Sequence, residues 1–320
     1  MLPVRKLGKD GPELTEIGFG AWAVGGPWEF GWGKQDDTES IAAMEYALDN
    51  GINWIDTAAV YGLGHSEKVV GKVLKGKRDK VFLATKCGLV WDDNGRVKRI
   101  IEPQSIRKEC ENSLRRLEVD VIDLYQIHWP EKGIEKAWEE MIRLKEDGKV
   151  KYIGVSNFDE KQLAMCQRLE PVQSLQPPYA MLRKGVEKEI LPYCDENGIG
   201  VVAYSPMMSG LLTGKTDLGK IAEDDWRRKW YAFKEPFLGK ALNLVDELRP
   251  IAAKYNKSMV QLSINWVLRN STVTSAIVGA RRPEQVKEIL GGTGWEISEE
   301  DMQVIDEKLN TIMGKMLYWT

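Results

Sequence analysis

Histidine is almost missing from this chain of 320 residues, with two copies, and cysteine is scarce, with four. Cys87, Cys110, Cys166 and Cys194 form no CxxC pair, so neither a disulfide framework nor a zinc knuckle is expected. They read as reduced core thiols of a cytoplasmic protein. No group of His, Cys, Asp and Glu has metal-ligand spacing, so no metal is expected. Long apolar runs are absent too: no segment approaches the roughly 18 apolar residues a membrane helix needs. The start, "MLPVRKLGKDG", has no apolar stretch behind its basic residues, which speaks against a signal peptide. Excess charge of one sign is lacking, with a net charge of −3 and a pI near 5.7, so nothing marks a general binder of nucleic acid or membrane. The nucleotide fingerprint GxGxxG is missing after the first strand, and neither GxSxG nor a Cys–His nucleophile pair is present.

What is there is a regular alternation. Hydrophobic residues make up 43% and charged residues 29%, enough for a large core under a solvated surface. "VRKLGKDGPELTEIGFG" reads as a hairpin turned by "KDG". From "TEIGFG" onward come eight short apolar strand candidates, among them "INWIDT", "KVFLATK", "VIDLYQIH", "VKYIGVSN", "VQSLQPPY", "IGVVAYSP" and "VTSAIVG". Helical spacing separates them, as in "ESIAAMEYALDNG", which closes on a glycine C-cap, and "PQSIRKECENSLRRLEV", which opens on proline. Further helices near 283–290 and 298–313 end the chain. Apolar strands alternating with helices pair in parallel with both faces covered. Eight such units predict a closed (β/α)8 TIM barrel with an N-terminal β-hairpin and additional C-terminal helices, one domain over 1–320. A polar stretch from Met207 to Glu235 exceeds what a barrel loop needs, which marks it as functional or mobile.

In such a barrel the chemistry sits at the C-terminal ends of the strands. "NWIDTAAVYG" stops alternating there and presents Asp56 and Tyr61; "VFLATK" ends on Lys86; "DLYQIH" ends on His128. Each has an ordinary structural reading alone, but four at successive strand ends point to one site. The logic is proton supply. A free phenol has a pKa near 10. An ammonium at Lys86 is expected to lower that of Tyr61, Asp56 to hold Lys86 in place, and His128 to donate to a bound carbonyl oxygen.

"GINWIDTAAVYGLGHSE", "ATKCG", "DLYQIHWP", "IGVSNF", "AYSPMMSGLLTGK" and "IVGARRPEQV" together resemble, in order and over nearly the whole chain, the signatures of the aldo-keto reductase superfamily, and most nearly its bacterial general-stress-protein-like members. The resemblance implies NADPH-dependent reduction of aldehydes and ketones, with Asp56, Tyr61, Lys86 and His128 as catalytic tetrad and Tyr61 as general acid. It implies an NADP(H) site across the barrel mouth: Gly20, Ala21 and Trp22 after the first strand, Ser156, Asn157 and Gln176 on the carboxamide, and Tyr204 stacked on the nicotinamide. Ser205, Pro206, Met207, Ser209, Gly210 and Leu211 would embrace the pyrophosphate, with Lys215 beside it. Gly279 ends the last strand, and Arg281 at the next helix N-terminus suits a 2′-phosphate, with Gln285 and Glu288 near the adenosine. Ile289 stands where many relatives carry Asn against the adenine.

Trp22, Trp91 and Trp129 are expected to line the pocket of a small apolar or aromatic carbonyl substrate. Trp226, Trp230 and Tyr231 are expected to cover cofactor or substrate. No obligate protein partner is evident. Two other readings stand beside the enzyme: a nucleotide-binding regulatory protein like a channel β-subunit, with little turnover, and, more weakly, a barrel isomerase or aldolase forming a Schiff base at Lys86.

Overall fold

The computed structural model describes residues 1–217, 219, 221–223 and 225–319; positions 218, 220 and 224 of the long polar stretch, and residue 320, lie outside the described residues. The chain opens with β1 (Val4–Lys6) and β2 (Glu13–Thr15), an antiparallel pair with Arg5 opposite Leu14. Eight strands then close a barrel: β3 (Ile17–Gly20), β4 (Trp54–Asp56), β5 (Phe82–Cys87), β8 (Ile122–Ile127), β9 (Val150–Ser156), β10 (Ser174–Gln176), β11 (Gly200–Tyr204) and β12 (Val273–Gly279). All neighbours are parallel, and β12 returns to β3. The two remaining strands, β6 (Leu89–Trp91) and β7 (Val97–Arg99), form a separate antiparallel hairpin between β5 and the next helix.

Helices alternate with the barrel strands: α1 (Asp37–Asp49), α2 (His65–Leu74), α3 (Pro103–Leu117), α4 (Ile134–Glu146), α5 (Glu160–Gln167), α6 (Ile190–Glu196), α7 (Phe237–Lys254), α8 (Met259–Leu268) and α9 (Pro283–Leu290), with α10 (Glu299–Met313) last. Their local chemistry is legible. Asp159 caps α5, its side chain accepting from the Gln162 amide while Gln162 reaches back. In α4, Ile134, Ala137, Trp138, Met141 and Leu144 fall on one buried stripe at the helical repeat.

The alternation of β4 explains why the site has a floor. Trp54 and Asp56, two residues apart, point into the barrel, whereas Ile55 packs outward under the helices. The interior layer consists of Trp54, Ala84, Leu124, Val202 and Ile277, and it also takes in Leu7 and Leu14 from the first hairpin. The hairpin therefore plugs the N-terminal mouth, and the opposite mouth alone stays open. Trp54 donates from Nε1 to Thr15 O at 3.3 Å and to Ser275 Oγ at 3.1 Å. It lies so close to β3 that a Cβ on Gly18 would meet its Cε2 at 2.0 Å, which makes glycine obligatory there.

Two features differ from the sequence expectation. "LVWDDNGRVKR" forms a hairpin that the strand–helix alternation does not predict, although Asp92 to Gly95 carry its turn chemistry, with Gly95 at φ 75° and the Asp92 carboxylate accepting from the Asn94 and Arg96 amides. The described part of 207–235 is a string of short 3-10 turns, over Met208–Thr213, Trp226–Lys229 and Tyr231–Phe233.

Candidate active site

A cleft of about 710 Å³ occupies the open mouth. Asp56 ends β4, Tyr61 lies in the turn that follows, Lys86 sits on β5 and His128 directly follows β8. Because β3, β4, β5 and β8 are consecutive in the barrel, these residues converge. Lys86 is 1% exposed and Asp56 2%, so their ion pair is dry. The Lys86 Nζ donates to Asp56 Oδ2 at 2.7 Å, to Thr57 O at 2.8 Å and to the Tyr61 hydroxyl at 3.4 Å. The second Asp56 oxygen accepts from Gln176 Nε2 at 2.9 Å. On the other side of Tyr61, the His128 ring stands edge-on at a centroid distance of 5.7 Å.

The electrostatics differ from the expectation at one point. Burial pushes the Tyr61 phenol well above its usual pKa, and the Asp56 carboxylate and Tyr204 push the same way. The sequence reading had Lys86 lowering it. Burial instead holds the Lys86 ammonium below its ordinary value, opposed by Asp56, so desolvation outweighs the charge of the nearby amine. Burial, Lys86 and Arg99 together hold His128 well below the imidazole range. Both shifts favour the uncharged forms of the Tyr61 phenol and the His128 imidazole, next to the Asp56–Lys86 pair.

A second network supports the wall. Asn157 donates from Nδ2 to His128 O at 2.9 Å and to Ser156 Oγ at 3.0 Å, and accepts from the Tyr204 hydroxyl at 2.8 Å. Ser156 Oγ donates to Gln176 O at 2.8 Å. Asn157 itself is left-handed at φ 63°. So are Ser205 (58°), Met208 (49°), Ser209 (53°) and Gly210 (98°) in the loop after β11. Such backbone costs a non-glycine residue about 1–2 kcal/mol each and collects where a ligand is held. At the far end, Arg281 lies beside the N-terminus of α9, its amide donating to Gln285 Oε1 at 2.7 Å and its guanidinium to Trp32 O at 3.4 Å. Burial, Arg282 and Arg227 lower the Arg281 pKa, while Glu39, which pairs with Arg282 at 3.4 Å, works against them.

Of the residues singled out in sequence, Gly20, Trp22, Asp56, Tyr61, His128, Trp129, Ser156, Asn157, Gln176, Tyr204, Ser205, Pro206, Met207, Ser209, Gly210, Gly279, Arg281 and Gln285 line the cleft. Lys86 lies just beneath it. Ala21 and Leu211 do not reach it, being fully buried. Lys215 and Glu288 lie outside the lining and pair with each other at 2.8 Å. Ile289 points into the core. Trp91 is a correction: it is absent from the cleft and sits further out on its hairpin, 5.8 Å from the Arg116 guanidinium. Trp226 does reach the cleft, 5.3 Å from Trp22, whereas Trp230 and Tyr231 stack behind it. The sequence reading missed Trp28, Phe30 and Trp32 on the loop after β3, and Leu89, Val97 and Arg99 on the extra hairpin. Three aromatics in five residues, "WEFGW", were the available signal for the first group, and the Asp-Asp-Asn-Gly turn for the second.

The model of the aldo/keto reductase family matches residues 16–310. The chain belongs to the aldo/keto reductase family. Among its relatives, the aldo-keto reductase YhdN of Bacillus subtilis (strain 168) is 41% identical over 309 residues, covering 94% of this chain and 92% of that protein. The NADH-specific methylglyoxal reductase of Escherichia coli (strain K12) is 33% identical over 318 residues, covering 94% and 96%. The structure of the glycerol dehydrogenase AKR11B4 from Gluconobacter oxydans superposes with a TM-score of 0.88 at 39% identity, over 97% of this chain and 96% of that one. The holo form of AKR11C1 from Bacillus halodurans does so at 0.81 and 26% identity, over 96% of each. Membership makes this aldo/keto reductase an oxidoreductase acting on small-molecule carbonyls with a nicotinamide cofactor. No helix among the described residues is long and apolar enough to cross a membrane.

Proposed function

We propose that this chain reduces aldehydes and ketones to alcohols with NADPH, that Tyr61 supplies the proton, and that it is a single barrel domain in the reducing cytoplasm, where its four buried free thiols are stable. The observation that carries the reading is the dry Asp56–Lys86–Tyr61 chain opening onto the cleft beside His128. The residues fit an extended dinucleotide: the cleft is lined by left-handed loop backbone at Ser205, Ser209 and Gly210, and it holds both Arg281 and Tyr61. Ser156, Asn157 and Gln176 would hold the carboxamide, with Tyr204 against the ring and Arg281 on the 2′-phosphate. Bound there, the reduced pyridine ring supplies the hydride.

The chain's own side chains do the rest. A neutral His128 donates a hydrogen bond to the carbonyl oxygen and orients it. As the carbonyl carbon accepts the hydride, its π-electron pair moves to that oxygen. Tyr61, kept protonated by its burial, gives its proton to the oxygen and the alcohol leaves. The phenolate that remains lies 3.4 Å from the Lys86 ammonium, which Asp56 holds in place. Solvent returns the proton. An absorbance assay at the NADPH band with a panel of aldehydes, ketones and ketoesters, repeated with NADH, tests reaction class and cofactor choice together. Absence of nucleotide oxidation with every carbonyl overturns the reading, and a preference for NADH, as in the name of the Escherichia coli relative, removes the role of Arg281.

A further inference from the structure

Arg99 is a cation in the cleft that the reductase reading leaves unused. It ends β7, directly opposite Leu89 in the hairpin register, and Leu89, Val97 and Arg99 all reach the cleft wall. Its guanidinium carbon lies 4.6 Å over the ring of Trp129, the residue next to His128. Arg99 is also among the charges that depress the His128 imidazole, so its field reaches the reacting centre. Among the described residues no carboxylate is found within ion-pair distance of it. The acids of the cleft are otherwise placed: Asp56 is committed to Lys86 and Gln176, and Glu29, on the loop after β3, makes no ion pair with Arg99.

A guanidinium held over an aromatic ring still has N–H groups in a planar fork that fits two oxygens of one anion. Trp129 beneath it, and Trp28 and Phe30 elsewhere on the same cleft wall, are flat apolar surfaces able to hold a short spacer. Resting on the reductase reading above, we infer that the preferred substrate is a carbonyl compound bearing an anionic oxyacid group, a carboxylate or a phosphate, on an apolar or aromatic spacer. Arg99 binds that group while the carbonyl sits between Tyr61 and His128. The extra hairpin is then a specificity element, built to carry one guanidinium to the rim of the active site.

The test compares three aldehydes of one shape: 4-carboxybenzaldehyde, its methyl ester and 4-formylphenyl phosphate. In the wild type, kcat/KM for at least one of the two anions exceeds that for the ester by roughly 10- to 100-fold, as for a charge-assisted hydrogen bond, with the difference carried mainly by KM. Whichever anion leads identifies the oxyacid. In Arg99→Met the anion-to-ester ratio collapses towards one; in Arg99→Lys it recovers in part; in Arg99→Glu it inverts. Calorimetric titration of terephthalate and of phenyl phosphate into wild type and Arg99→Met supplies a readout without turnover, with binding of the preferred anion lost in the variant. A wild-type ratio near one, or a ratio and an anion affinity unchanged by Arg99→Met, overturns the inference and would leave Arg99 as a cover for Trp129, with the reductase reading intact. Turnover absent for all three aldehydes together with Arg99-dependent binding of an anion would overturn the reductase reading and leave the anion site standing.

Discussion

The two ends of the cleft solve the placement of charge in opposite ways. At the Tyr61 end, Asp56 and Lys86 are 2% and 1% exposed, each oxygen of the carboxylate has a donor, and the amine has three acceptors. Just outside the cleft at the Arg281 end, Lys215 is 67% exposed and its partner Glu288 25%, and Arg281 and Arg282 are neighbours in chain and in charge. A buried network fixes geometry because losing either partner strands a charge in a poor dielectric. An exposed one fixes little, because water replaces what is lost. The end proposed here for proton transfer is therefore the one where rearrangement is costly, and the end proposed for the nucleotide phosphates is the one where it is cheap.

Tests of that contrast run from large effects to small. Tyr61→Phe should keep nucleotide affinity, read by quenching of tryptophan fluorescence, while kcat falls by about 10²–10⁴; retention of turnover would show that another group supplies the proton. Lys86→Met strands Asp56 and should cost roughly 3–5 kcal/mol in chemical denaturation, and a loss below ~1 kcal/mol would mean that the pair is wetter than its burial implies.

Glu109 extends the comparison to the wall behind Lys86. It accepts from the Gly88 amide at 2.9 Å, and burial raises its carboxyl from 4.5 to about 7. Between those two pH values the folded chain keeps a proton that the unfolded chain has released. This contribution to stability is therefore full below pH ~4.5 and is lost as pH rises towards ~7. The difference between wild type and Glu109→Gln should shift by roughly 3 kcal/mol across that window, and a flat difference would rule out the raised value.

At the exposed end the expected effects shrink. Arg281→Ala should weaken NADPH binding by roughly 10- to 100-fold and NADH binding by much less. Equal losses for both would remove the 2′-phosphate from its role. Lys215→Ala should change stability by ~1 kcal/mol or less, and a larger loss would mean that the exposed ion pair holds the loop in place.

The sequence showed the barrel well because its signal is repeated: eight apolar strands, each closed by a helix, leave little choice of architecture. It also showed the four side chains at the strand ends, since strand end and active face coincide in this fold. It failed where the answer depended on burial or on a single local turn. The direction of the Tyr61 pKa turns on how much water the phenol loses, which no spacing encodes. Trp91 and Arg99 are eight residues apart in a short hairpin, and only the register decides how far along the rim each stands. Trp28, Phe30 and Trp32 carry no chemistry of their own and are indistinguishable by type from core aromatics in a chain with twelve tryptophans.

The β6–β7 hairpin shares no strand pairing with the barrel sheet. Its length, turn and outward residues can drift through mutation without disturbing barrel closure, the floor of the cleft or the ammonium–carboxylate pair. What lines that side of the cleft can thus change without any change in the barrel strands that carry Asp56 and Lys86.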